Sequence, residues 1–334
     1  MMKAIQFSKA GAAKQVLEMV DIAPVPPAAG EVQVKIAYSA VNPTDVKRRE
    51  SGRELPNFSP IISGNDGAGI ITAVGDGVEA SRVGERVWIF GAQAGRALGT
   101  EAEYCTLPTW MAPRLPDGAS LADGACLGVP AVTAHYGVFS DGPVEGLWVM
   151  VSGGAGRVGR YAVQMAKLAG ANVIASVGND AKAKIAIDAG ADHVINYKTE
   201  DVRARVLEIT DGAGVNRLSE VAFGANIDLF ADIMAPNGVI TTYSSDAVPE
   251  PVLPYWPIMF KNITIRPYTI YALTEAVKKT TFDGVNALLA AGQLTHMVSK
   301  TCPFTLDGVI DAHETIESSA IQGVCLIKVA DLGE

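Results

Sequence analysis

Between Ser152 and Gly159 the chain reads Ser-Gly-Gly-Ala-Gly-Arg-Val-Gly, with Gly153, Gly156 and Gly159 three residues apart. An apolar run, Trp148-Val149-Met150-Val151, precedes it, and residues 158–168 have the composition of a helix. A turn of this kind, set between a strand and a helix, is suited to holding a diphosphate. Small residues let the backbone bend and let an anion approach the amide N–H groups. The helix start adds the positive end of its dipole, and the last glycine lets the helix pack close to the strand. The spacing departs from strict Gly-x-Gly-x-x-Gly, and three glycines alone are a weak signal. The flanking strand and helix separate it from an ordinary turn. Gly153, Gly154, Ala155, Gly156, Arg157 and Val158 are therefore the candidate contacts for the pyrophosphate of a dinucleotide.

The residues after the second strand of the same pattern bear on which dinucleotide. An NAD site places Asp or Glu about 20 residues beyond the turn to hold the ribose 2′-OH. Here residues 172–177 form that strand, and no acid stands at Ser176, Val177 or Gly178. Asp180 comes late and suits a cap on the next helix. Lys182 and Lys184 follow, and Tyr197 ends the third strand. A 2′-phosphate wants cationic and hydroxyl partners in that place. Most lysines are solvated, and one helix face presents only one of the two to a pocket. Lys182 is favoured over Lys184. The expected cofactor is NADPH, with Gly178, Lys182 and Tyr197 about its 2′-phosphate.

Other reactive side chains are sparse. The four cysteines, Cys105, Cys126, Cys302 and Cys325, form no Cys-x-x-Cys pair, so neither a zinc finger nor a disulfide framework is indicated. They read as reduced, buried thiols. His135, His193, His296 and His313 are scattered without metal spacing and read as surface or satisfied core residues. The formal charge of −9 over 334 residues argues against a nucleic-acid backbone as main partner, while leaving room for a local basic pocket. Hydrophobic residues make up 49% and charged residues 19%, the balance of a soluble globular chain. No apolar run reaches the ~18 residues of a membrane helix, and the N-terminal residues read as a strand rather than a signal core. The expected location is the cytoplasm.

The elements that must position these residues fall into two patterns. Residues 1–120 are rich in short alternating runs, such as 31–38, 68–75 and 85–90, punctuated by Gly and Pro; this is the signature of a small barrel or sandwich. Residues 121–140 read as helical with an interruption at Gly128-Val129-Pro130. From Leu147 strand and helix alternate, with strands at 148–151, 172–177, 193–196, 218–222 and 238–243, which builds a parallel, doubly wound sheet. A helix over 276–291 and a mixed tail close the chain.

With these motifs in hand the sequence resembles the medium-chain dehydrogenase/reductase superfamily, and within it the zinc-free, zeta-crystallin-like quinone oxidoreductases. The carriers are Gly64-Asn65-Asp66-Gly67-Ala68-Gly69 through Gly75, Asn42-Pro43-Thr44-Asp45, residues 151–159, and residues 190–197. The resemblance implies an α/β chain of two domains. One is a discontinuous GroES-like domain, 1–122 and 269–334; the other is a Rossmann NADP-binding domain, 123–268. It also implies a cleft between them for nicotinamide and substrate, and a homodimer or homotetramer. The superfamily's alcohol dehydrogenases hold catalytic zinc where this chain has Asn42, Asn65 and the segment around Gly128. Amides are poor zinc ligands beside thiolate and imidazole. Without zinc there is no Lewis acid for an alkoxide, which favours quinones and α,β-unsaturated carbonyls as acceptors.

The resemblance further places Asn42 near the nicotinamide or acceptor oxygen, Thr133 against the nicotinamide, and Asp45 as the group that orients the Asn42 loop. Catalytic candidates are thus Asn42 and Asp45, and no metal ligand is expected. Two departures stand out. Lys47 replaces a Tyr that many relatives carry, and Ser319 replaces an Arg in the tail. The expected activity is NADPH-dependent quinone reduction. The alternatives are an enone or 2-enoyl double-bond reductase, and a low-turnover NADPH-binding protein with a structural or RNA-binding role.

Overall fold

The computed structural model describes residues 1–318 and 321–333. They form two compact units: 1–129 with 286–291 and 296–334, and 130–285 with 292–295. The chain passes between them inside the helices Gly128–Phe139 and Glu275–Ala290.

The first unit is built on the long strand Glu31–Val41. Its alternation sends Val32, Val34 and Ile36 into a core with Ile71, Val87, Ile89 and Leu107. Asp66–Val74 pairs antiparallel along nearly its whole length. Its other side is shared: Tyr104–Pro108 pairs residues 31–35, and the C-terminal strand Val324–Lys328 pairs residues 38–41. The helix Leu306–Glu317 buries Val309, Ala312 and Ile316 against Ile5, Phe7, Val41 and Ile327. The C-terminal tail thereby completes the sheet and core begun by the N-terminal third, which makes this GroES-like unit discontinuous.

The second unit is a Rossmann domain. Six strands lie parallel in the order His193–Asn196, Asn172–Val177, Trp148–Val151, Val215–Glu220, Met234–Thr242 and Thr264–Pro267. The chain winds outward from Trp148–Val151 in one direction, then returns to its other side, so the C-terminal end of that strand is the topological switch point where such sheets bind ligands. Arg157–Leu168 is the first crossover helix, and it buries Tyr161, Ala162, Val163, Met165 and Ala166. The buried Arg217 donates to the carbonyls of Val138 (2.6 Å) and Asp141 (3.0 Å), supplying partners at the C-terminus of Gly128–Phe139. No helix among the described residues is long and apolar enough to cross a membrane.

Some local expectations change. The helical stretch after residue 120 is interrupted, as expected, but at Cys126-Leu127: Leu121–Ala125 ends there and Gly128-Val129-Pro130 opens the next helix, because Pro is well tolerated in a first turn whose N–H groups lack intrahelical partners. The helices Phe223–Ile233 and Tyr255–Phe260 and the edge strand Thr264–Pro267 add elements beyond those read from the sequence.

Candidate functional site

The glycine turn closes tightly. Gly153 sits at φ +66°, a conformation glycine adopts without strain. The Gly154 amide donates to the Ser176 carbonyl (3.0 Å), which anchors the turn to the end of the second strand, and the Gly156 amide donates to the Gly153 carbonyl (2.8 Å). A Cβ on Gly159 would lie 2.2 Å from the Gly153 oxygen, so only hydrogen fits there. Gly156 precedes Arg157–Leu168 and supplies no side-chain cap to its first amides, the arrangement that leaves a helix start suited to an anion. Ala155, Arg157 and Val158 complete the turn and the first helical residues.

Beside the turn lies a cavity of about 260 Å³, lined by Ser152, Gly153, Ser176, Tyr197 and Glu220 on its polar side and by Met150, Leu218 and Phe230 among its apolar walls. Glu220 ends the strand next to the turn. It accepts from the Ala222 amide and from Asn226 Nδ2, and burial raises its pKa.

Of the residues expected about a 2′-phosphate, Gly178 and Tyr197 meet at the end of the second strand, while Lys182 lies in the first turn of the helix that follows. A Cβ on Gly178 would lie 2.7 Å from the Tyr197 hydroxyl and 3.6 Å from Lys198 Cε, so a phenol and a lysine stem converge on this glycine. Asn179, not Asp180, caps the next helix: its Oδ1 accepts from the Lys182 amide (2.9 Å), while Asp180 is the first helical residue. Lys184 is paired with Asp188, one turn on, at 3.2 Å. Neither Lys182 nor Lys198 forms an ion pair among the described residues. Lys198 is the residue the sequence reading missed. It follows a strand end in a turn, where no periodicity marks it. Ser319 lies outside the described residues.

In the first unit a buried polar chain joins three segments distant in sequence. Asn42 is the N-cap of Pro43–Ser51, and its amide N–H donates to Asp45 Oδ2 (2.7 Å). Asp45 Oδ1 accepts from Asn65 Nδ2, and Asn65 Oδ1 accepts from Arg48 Nη1 (3.0 Å). Asn42 Nδ2 donates to Asp66 Oδ2 (2.7 Å), and the same oxygen accepts from the Val129 amide (2.6 Å). Asn42, Asp45, Asn65, Asp66 and Arg48 are all buried. Burial lifts the Asp66 carboxyl to about 8, with the Asp45 charge adding and the hydrogen bonds from Val129 and Asn42 opposing. Burial also lifts Asp45 to about 6, against the Asn42 N–H. Lys47 is exposed. Thr133 is buried on Gly128–Phe139, and its carbonyl accepts from the Tyr268 hydroxyl (2.8 Å).

Comparison with known proteins agrees with this architecture. Residues 28–117 match the alcohol dehydrogenase GroES-like domain, and residues 158–290 match a family described as zinc-binding dehydrogenase. A quinone oxidoreductase of Salmonella typhimurium is 30% identical over 329 residues, covering 97% of this chain and 98% of its own. Quinone oxidoreductase 1 of Escherichia coli is likewise 30% identical, with the same coverage. The structure of an Escherichia coli quinone oxidoreductase complexed with NADPH superposes with a TM-score of 0.85 at 27% identity, over 98% of this chain and all of the other. With this fold and near-complete coverage, the chain belongs to the quinone oxidoreductase family of the medium-chain dehydrogenases/reductases.

Proposed function

We propose that this protein is a cytoplasmic, NADPH-dependent reductase of quinones that transfers hydride without a metal. The observation that carries the cofactor is the corner at Gly178: the Tyr197 hydroxyl and the Lys198 stem stand beside it where an NAD site has a carboxylate, and Lys182 follows in the first turn of the next helix. Beyond the glycine turn, whose Gly154 and Gly156 amides donate within the protein, the start of Arg157–Leu168 would receive the pyrophosphate. Lys182, Lys198 and Tyr197 would hold the 2′-phosphate, and Thr133 and Asn42 would lie near the nicotinamide. A solved relative complexed with NADPH supports the same choice.

Zinc does not fit the residues present. Asn42 and Asn65 stand at two of the superfamily's ligand positions, and both amides are already hydrogen-bonded to Asp66, Asp45 and Arg48. Among the described residues no group of three His, Cys, Asp or Glu side chains is placed to hold a metal ion.

Bound NADPH supplies a hydride from its nicotinamide ring. The side chains orient the acceptor, exclude water and hydrogen-bond its carbonyl oxygen, a role Asn42 can fill through an N–H. With no Lewis acid the acceptor must spread the incoming charge itself, as a quinone does. Hydride plus one proton from solvent then yields the hydroquinone and NADP⁺. The test is loss of nicotinamide absorbance with para-benzoquinone, phenanthrenequinone and a panel of enones. Turnover with quinones is expected. Turnover with enones alone would replace the substrate class, and tight NADPH binding with no turnover would overturn the reductase reading.

We also propose self-association. The helix Tyr255–Phe260 exposes Tyr255, Trp256 and Phe260 next in sequence to the edge strand of the Rossmann sheet, an aromatic cluster and a sheet edge that a second subunit would cover. Light scattering on the purified protein should report a mass above 34.9 kDa.

A further inference from the structure

We infer that Asp66 is a positioning residue for hydride acceptance: one oxygen of its buried carboxyl fixes which way the Asn42 amide faces and ties it to the helix that carries Thr133. The inference rests on the proposed role of Asn42 near the acceptor.

The two ends of an asparagine amide have nearly the same shape, and its terminal torsion is broad. Backbone geometry alone therefore does not decide which end meets a ligand. At Asn42 the backbone is set by Asp45, through the N–H bond of 2.7 Å. The side chain is set separately, by the 2.7 Å bond from Nδ2 to Asp66 Oδ2. That oxygen also receives the Val129 N–H at 2.6 Å. Two donors, the Val129 N–H and Asn42 Nδ2, are aimed at Oδ2, while Oδ1 accepts no bond of ordinary geometry and has only the Gly91 N–H near the carboxyl, so Oδ1 is the place for a proton when the carboxyl binds one. Oδ2 thus remains an acceptor in both states. The group facing it must be a donor, so the reversed amide is disfavoured whether or not Asp66 is ionised.

Gly128 supports the assignment independently. A Cβ there would fall 2.0 Å from Asp66 Cγ and 2.1 and 2.4 Å from its two oxygens. Position 128 has no side chain, and the carboxyl occupies the space one would need. The consequence is a single clamp: the Asp66 oxygen joins Asn42 to the first turn of Gly128–Phe139, four residues before Thr133.

The test compares Asp66→Ala, Asp66→Asn, Asn42→Ala and the Asn42→Ala/Asp66→Ala double variant, measuring kcat with a quinone and the NADPH dissociation constant by calorimetry. Asp66→Ala should lower kcat about 10- to 100-fold, the loss expected when a catalytic contact is misplaced, while changing NADPH affinity less than about 3-fold. Asp66→Asn keeps an oxygen for both donors and should recover kcat to within about 5-fold of wild type. The double variant should be no slower than Asn42→Ala. Multiplying losses, or an Asp66→Asn as slow as Asp66→Ala, would overturn the inference.

If Asp66→Ala does not bind NADPH stoichiometrically, Asp66→Ser replaces it, with the same loss expected. Crystal structures of Asp66→Ala or Asp66→Ser read the positioning without turnover. A rotated or split Asn42 amide is expected, and an unmoved one refutes the clamp. Failure of the reductase reading is seen separately, as a wild type that binds NADPH but leaves it unoxidised with every acceptor tried.

Discussion

Replacing Asp66 by Asn should flatten the dependence of stability on pH. Burial, reinforced by Asp45, raises the Asp66 carboxyl from 3.8 to about 8 in the folded chain. Between those values the folded state holds a proton that the unfolded state has released. The unfolded chain binds fewer protons, so the unfolding free energy falls as pH rises through this window, by up to about 1.4 kcal/mol per pH unit. Asp45, raised to about 6, adds a loss of the same slope over about half the range. Taken at face value the Asp66 window amounts to about 5–6 kcal/mol. Relaxation of the buried site should bring the realised loss to about 2–4 kcal/mol.

The Asn variant does not titrate. Its amide oxygen can serve Asn42 and Val129, while its NH₂ takes the place of the unpartnered Oδ1. That leaves a fixed, pH-independent penalty of about 1–3 kcal/mol. The two curves should therefore converge. The variant should be less stable than wild type near pH 5 and equal or better above about pH 8, the difference following from the proton linkage. Urea unfolding at a series of pH values, comparing midpoints, measures this directly. Parallel curves across the range would refute the reasoning, since they would mean that Asp66 carries the same proton count folded and unfolded.

Three further outcomes rest on close contacts in the structure. Lys182→Ala and Lys198→Ala should each raise the NADPH dissociation constant about 10- to 100-fold with little effect on NADH, the value of a charge-assisted phosphate contact; Lys184→Ala, whose lysine is paired with Asp188, should change neither. Gly159→Ala should weaken NADPH binding by at least about 10-fold in calorimetry, because overpacking forces the turn to shift and its Cβ would fall 2.2 Å from the Gly153 oxygen. Glu317→Ala should cost about 1–3 kcal/mol in denaturant unfolding, since the fully buried Arg49 keeps the Gly11 carbonyl at 3.1 Å and the Glu50 carboxylate at 3.8 Å, whereas replacing Arg49 alone should leave Glu317 free to turn to solvent and cost chiefly the lost packing.

What the sequence makes legible is local. The turn at Gly153–Gly159 is visible because its glycines, the strand before it and the helix after it lie within one short stretch. Asn42-Pro43-Thr44-Asp45 reads as a loop, yet its three-residue spacing of Asn and Asp is that of a capping box, and the structure starts a helix there. Asp66 is harder: its partners Asn42 and Val129 stand 24 and 63 residues away, the first brought close by the pairing of Ala40 with Asp66 and the second by the packing of Leu121–Ala125 on the same strand. Lys198 is hidden for a similar reason, since its proximity to Gly178 arises from the parallel pairing of two strands. The helix Phe223–Ile233 carries Phe223, Ile227 and Phe230 at helical spacing, but Gly224 and Asn226 weaken the local signal. Thr264–Pro267 is only four residues long and ends in Pro, too short for alternation to register.

The pairing of Val324–Lys328 with residues 38–41 has a bearing on how the protein is made. A ribosome releases the N-terminal third long before the strand that completes it. Until then the second half of Glu31–Val41 is an open edge on that side, and Ile5, Phe7 and Val41 lack Val309, Ile316 and Ile327 to cover them. The Rossmann unit, nearly continuous between 130 and 285, has no such wait. The middle of the nascent chain should therefore fold first, leaving the N-terminal part as the client that needs chaperone protection until the last strand emerges.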